Sequence, residues 1–206
     1  MNSTINNLSK IFSFVFHPLI IPSIGILILF NSNSYIDFLT FDAKKIIFLI
    51  VFISTFLLPL LFVPFYFFHN IIENLEMSNH KERIIPFATT SVVYLFCYFL
   101  LHRLSVPIII ESFILASFIT ILVLLIISYK WKISAHMIGI GGLAGTIVSF
   151  SFLLRVNLMF YLLPVIILSG FIASSRMILK THNPPQVYSG WIIGFIVTSS
   201  VLVFLG

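Results

Sequence analysis

The chain has 206 residues, 60% of them hydrophobic and only 8% charged. A water-soluble globular domain carries about 25% charged residues, so this composition excludes a fully water-covered surface and points to lipid as the solvent. The net charge of +5 rests on 11 scattered Lys and Arg, too few for a nucleic-acid surface, and the lone Cys97 excludes an internal disulfide. In chain order, seven apolar segments read as membrane helices: 11–30, 44–68, 87–101, 107–128, 135–155, 158–175 and 187–205. The third is short, and Pro86 and His102 extend it. None alternates polar and apolar residues as a barrel strand does; Ile46 to Pro64 is apolar except for Ser54 and Thr55. The expected fold is therefore all-α, a polytopic transmembrane bundle of about six to seven helices. Short loops make 1–206 a single domain.

The amino-terminal stretch is not read as a cleavable signal. Only Lys10 precedes the first apolar run, His17 and Pro18 interrupt it, and no small-residue cleavage site follows. Pro59 and Pro64 predict a kinked second helix. Gly139, Gly141, Gly142 and Gly145 lie inside an apolar segment with no preceding strand, so they predict close helix packing and not a dinucleotide loop. Gly190 and Gly194 read likewise. His17, His69 and His102 lie near segment ends and read as interfacial residues; His17 shares the face of the polar loops described next. Glu111 has no evident partner.

Three loops hold most of the unusual polar residues: 69–86, 129–136 and 175–186. They follow the second, fourth and sixth segments, so parity puts all three on one membrane face with the amino terminus. Each ends at a helix start. Pro86 suits a first helical turn, Ser134 is a good N-cap, and Asn183 precedes Pro184 and Pro185. Helix starts present unpaired N–H groups and partial positive charge. With Lys81, Arg83 and Arg176 nearby they predict an anion pocket, and phosphate suits it. Lys130, Lys132 and Lys180 read as interfacial anchors.

His136 and His182 enter at the same face. Metal-free phosphoryl transfer needs a nucleophile, an acid for the leaving oxygen and cations on the remaining oxygens. Two histidines with two or three basic residues supply these. The residues here resemble the type 2 phosphatidic acid phosphatase superfamily. Ser175-Arg176, five residues, His182, three residues, Gln186 resembles its third motif, Ser-Arg-x5-His-x3-Asp. Ser134-Ala135-His136 resembles its second, Pro-Ser-Gly-His. Lys81-Glu82-Arg83 with Pro86 resembles a compressed first motif, normally Lys-x6-Arg-Pro. The resemblance spans residues 81 to 186.

The resemblance implies that His182 is the nucleophile and His136 the general acid, with Gln186 at the position that orients the nucleophile. It implies that Lys81, Arg83, Ser134, Ala135, Ser175 and Arg176 bind phosphate. It implies no metal and no cofactor, a lipid phosphate or diphosphate as substrate, a bilayer around the chain, and residence in the cell (inner) membrane. The sequence departs from the pattern at Gln186 (Asp in the family), Ile133 (Pro) and Ala135 (Gly). Two other readings stay open: a non-catalytic relative that binds a lipid phosphate or joins a membrane complex or oligomer, and a haem or electron-carrier subunit drawing on the six histidines.

Overall fold

The computed structural model describes residues 3–74, 77 and 79–206, and every regular element among them is helical. Seven helical runs are long and apolar enough to cross a membrane: Asn6–Phe30, Phe41–Phe68, His80–Arg103, Ile108–Ser128, Ala135–Leu153, Met159–Ile178 and Pro184–Leu205. The chain is thus a multi-pass helical membrane protein, as its composition dictates. The third run is longer than the apolar stretch 87–101 because a 3-10 turn at His80–Arg83 leads into it.

The first two runs are not straight. Helix α1 (Ser3–Val15) ends before His17, a 3-10 turn covers Pro18–Ile20, and α2 (Ile21–Phe30) resumes. In the second run, α3 (Phe41–Phe52) passes into a π-helical turn at Ile53–Leu57, then short helices α4 (Leu58–Leu61) and α5 (Val63–Phe68). Pro59 lacks the N–H that would bond back to the carbonyl of Thr55. That carbonyl instead accepts from the buried Tyr94 hydroxyl at 3.2 Å. The break predicted at the prolines is real, and the π turn just ahead of Pro59 is its form.

The remaining helices are α6 (Ile84–Arg103), α7 (Ile108–Ser128), α8 (Ala135–Leu153), α9 (Met159–Ile178) and α10 (Pro184–Leu205). Helix α8 is the axis of the bundle. Its span is 67% buried against 28–50% for the other six, and it packs on α10, α9, α2 and α7. Its composition explains this. A Cβ on Gly141 would collide with the Trp191 backbone, and one on Gly194 with the Ile138 backbone. Glycine on both sides lets α8 and α10 approach backbone to backbone, the small-residue packing that membrane helices use.

Glu111 does have a partner. His102 Nδ1 lies 2.8 Å from its carboxylate, across the tight turn between α6 and α7. The pair is nine residues apart in sequence, and only the turn geometry brings it together.

Candidate phosphate site at the loop face

The three polar loops meet at one end of the bundle, joined by hydrogen bonds. Arg83 Nη1 donates to the Ile133 carbonyl at 3.0 Å. The Ser134 N–H donates to the Gln186 carbonyl at 3.3 Å. His182 Nδ1 lies 3.2 Å from the Lys132 carbonyl. Each bond ties two of the loops together.

The loop geometry places each side chain. Helix α9 ends with Lys180 in the left-handed region (φ 53°). The N–H of Lys180 bonds to the Met177 carbonyl and that of Thr181 to the Arg176 carbonyl, a Schellman ending. The His182 N–H at 3.4 Å and the Thr181 hydroxyl at 3.0 Å converge on the same Arg176 carbonyl. This compact turn fixes where His182 lies relative to Arg176. Asn183 then caps α10. Its side chain accepts from the Gln186 N–H, and Gln186 Oε1 accepts from the Asn183 N–H, each at 3.1 Å. That reciprocal pair is a capping box.

Gln186 has a second task. Its Oε1 lies 3.3 Å from His182 Nδ1. Both neighbours of Nδ1, the Lys132 carbonyl and Gln186 Oε1, are acceptors, so Nδ1 carries the proton. The capping bond to the Asn183 N–H fixes which end of the amide is oxygen. A neutral His182 therefore has its lone pair on Nε2. Burial first, then the charges of Arg83 and Arg176, lower its imidazole from 6.5 to about 3; the Gln186 hydrogen bond opposes them and Lys132 adds to them. At ordinary pH His182 is therefore neutral, with an unprotonated Nε2 beside two buried arginines.

A cavity of about 360 Å³ opens here and runs down into the bundle. Its polar end is lined by Lys10, His17, Arg83, His136, Arg176 and His182, with Ala135 beside them. Farther along lie Leu60, Val63, Phe113, Ile121, Leu124 and Leu143, with the hydroxyls of Thr120, Thr146 and Thr198. Arg83 (3% exposed) and Arg176 (6% exposed) are buried at this wall. His136 Nε2 donates to the Ser13 carbonyl of α1 at 3.0 Å. That bond survives whether the ring is neutral or protonated, and it leaves Nδ1 to take or give the second proton.

The predicted residues divide. Arg83, Ala135, His136, Arg176 and His182 come together at the cavity, and Gln186 stands behind His182. Lys81 does not join them: it is exposed, its backbone N–H donates to Asn79 Oδ1 and its carbonyl accepts from the Ile84 N–H. Residues 80–83 form a single 3-10 turn, capped by Asn79 and Glu82, and in so short a turn Lys81 faces outward while Arg83 faces in. Ser134 occupies the N-cap position of α8, yet its side chain makes no capping bond and its buried Oγ has no partner among the described residues. Ser175 is buried but outside the cavity wall.

Sequence reasoning undervalued His17, which lines the cavity with its ring centroid 5.5 Å from that of His136. The signal was there: His17-Pro18 interrupts an apolar run on the face that parity assigns to the loops. The carbonyls of Ser13 and Lys132, which orient His136 and His182, have no side-chain signature. Among the described residues no group of three or more His, Cys, Asp or Glu is arranged to hold a metal ion.

Comparison with family models, curated proteins and solved structures finds no match.

Proposed function

We propose that this chain binds a phosphorylated membrane lipid and hydrolyses its phosphate ester or anhydride through a phosphohistidine at His182. The observation that carries the reading is the convergence at one cavity of two buried arginines, His136 and a neutral His182 whose Nδ1–H is fixed by two acceptors. An apolar passage leads from that cavity into the bundle. A polar head site joined to an apolar passage suits a ligand with a phosphate on an aliphatic tail. The resemblance to the type 2 phosphatidic acid phosphatases assigns the same residues to the same tasks, and the cell (inner) membrane is the setting it implies.

In the first step, His182 Nε2 forms a bond to phosphorus. The bond from phosphorus to the leaving oxygen breaks, and its electron pair goes to that oxygen. His136 enters this step as the imidazolium, its Nε2–H still on the Ser13 carbonyl; the leaving oxygen takes its Nδ1 proton, while Arg83 and Arg176 hold the other oxygens. In the second step, water gives a proton back to His136 and attacks phosphorus. The N–P bond breaks, its electrons return to His182 Nε2, and phosphate leaves. Gln186 orients His182 without adding charge.

A second reading, binding without turnover, draws on that lack of charge at Gln186. One experiment separates the two. Purified chain should release phosphate from at least one of a panel of alkyl and prenyl phosphates and diphosphates, and His182→Ala should abolish release. Binding of these lipids without release would favour the second reading.

A further inference from the structure

One histidine of the cavity has no task in the reaction just described. His17 sits in a segment that otherwise crosses the membrane, between α1 and α2. A polar side chain there is costly and usually functional. The backbone around it is not α-helical, and irregular backbone at membrane depth is tolerated where it is buried in protein or lines a cavity. Pro18 supplies no N–H. The Leu19 N–H is taken by His17 Nδ1 at 3.4 Å, and the Ile20 N–H by the His17 carbonyl at 3.0 Å. Helix α8 makes room for this turn: a Cβ on Gly139 would lie 3.2 Å from Pro18 Cβ.

The chemistry follows from the bond to Leu19. Nδ1 is an acceptor, so the ring proton is on Nε2. Protonating Nδ1 would set two donors against each other, so the capping bond favours the neutral ring. His17 is then unsuited to give up its only ring proton as an acid. It is suited to donate a fixed, uncharged hydrogen bond. It lines the same wall as Arg83, Arg176 and His136, with its ring edge-on to that of His136.

We propose that His17 is a phosphate-binding residue, donating its Nε2–H to an oxygen of the phosphoryl group held at this cavity. The amino-terminal segment thereby completes the site twice, through His17 and through the Ser13 carbonyl on His136. The proposal rests on the phosphate reading of the cavity and does not require turnover.

The competing possibility is that His17 only caps the turn, and two isosteres separate them. Asn places an acceptor where Nδ1 is and suits the cap, but it has no donor at the Nε2 position. Gln places an amide N–H near Nε2 and lacks the cap. The probe is inorganic phosphate, titrated into the full chain in detergent. We expect His17→Asn to fold and to weaken phosphate affinity about tenfold or more, the loss of one hydrogen bond to a charged acceptor. We expect His17→Gln to stay within about threefold of wild type, about half the tenfold step. Wild-type affinity in folded His17→Asn, with loss only in His17→Gln, overturns the proposal.

The Nε2–H proton resonance of ¹⁵N-histidine-labelled wild-type chain gives a second test that needs no variant. Phosphate should shift the His17 Nε2–H resonance downfield, and no shift at saturating phosphate overturns the proposal even where the variants do not fold. Wild type that binds phosphate but hydrolyses no lipid phosphate sinks the hydrolase reading alone. Wild type that binds no phosphate sinks both.

Discussion

At the scale of single residues, the proposed reaction turns on His182 and Gln186. The imidazole of His182 is lowered from 6.5 to about 3 by burial and by the two arginines. Between those values the unfolded chain binds the proton and the folded chain does not, so folding weakens as pH falls. The contribution is complete above about 6.5, declines through the interval and levels off near 3. Thermal unfolding in detergent at pH 7 and pH 4.5 should show a larger drop for wild type than for His182→Gln. Equal drops would show that the folded imidazole titrates normally. Gln186 holds its amide between the Asn183 N–H and His182. Glu keeps that reach and adds charge beside an imidazole that becomes cationic, at a helix start that favours anions. Gln186→Glu should raise turnover about tenfold or more, since an adjacent opposite charge is worth one pKa unit or more. Asp is one methylene shorter and should recover less, because it gives up the capping bond. Phosphate-release rates of the two variants check the order.

At the scale of elements, short turns fix what the helices present. The α9 ending holds Lys180 at φ 53°, a conformation that costs a side chain about 1–2 kcal/mol. Lys180→Gly should therefore stabilise the chain by up to about 1 kcal/mol, after glycine's own entropy is subtracted. A lower unfolding midpoint would mean that the Lys180 side chain contributes more than its strain. The contact of α8 with α10 is the opposite case. Gly194→Ala drives a methyl into the Ile138 backbone, which a rigid pair of helices cannot absorb. It should cost about 1–3 kcal/mol. Because α8 carries His136 and α10 starts after His182, turnover should fall as well. The glycines announced this contact in the sequence, as did the prolines and the Asn183 cap. Lys81 and Ser134 are placed differently from what residue type and spacing predict, for a common reason. Residue type and spacing say that a basic or capping side chain is present, while the direction it points depends on one turn of backbone. The 3-10 turn at 80–83 and the paired Ser134 N–H settle those directions, and neither has a compositional signal.

At the scale of the whole molecule, the apolar runs were readable because lipid forces every backbone polar group into a helix. Parity then puts the three polar loops at one end. Hydrogen bonds among residues 83, 132–134, 182 and 186 bring the three loops together, and none has a signature in residue type or spacing. The arrangement makes a topological demand that can be tested without any substrate. Lys81, Lys130 and Lys180 are exposed at the site end, while Lys45, Arg103 and Arg155 are exposed at the other end. Single cysteines at these positions, in a Cys97→Ala background, report the side through a membrane-impermeant thiol reagent. Cys97 is fully buried, so alanine there removes a background thiol at little cost in volume. In sealed vesicles of one orientation, cysteines at 81, 130 and 180 should label together. Those at 45, 103 and 155 should label only when the reagent reaches the other side. The positive charges do not predict which set faces the cytoplasm, because the site end holds the arginines that line the cavity as well as ordinary anchors. Labelling of 81 and 180 from opposite sides would remove one helix from the count. It would separate Arg83 from His182 by the thickness of the bilayer, and no phosphate could then touch both.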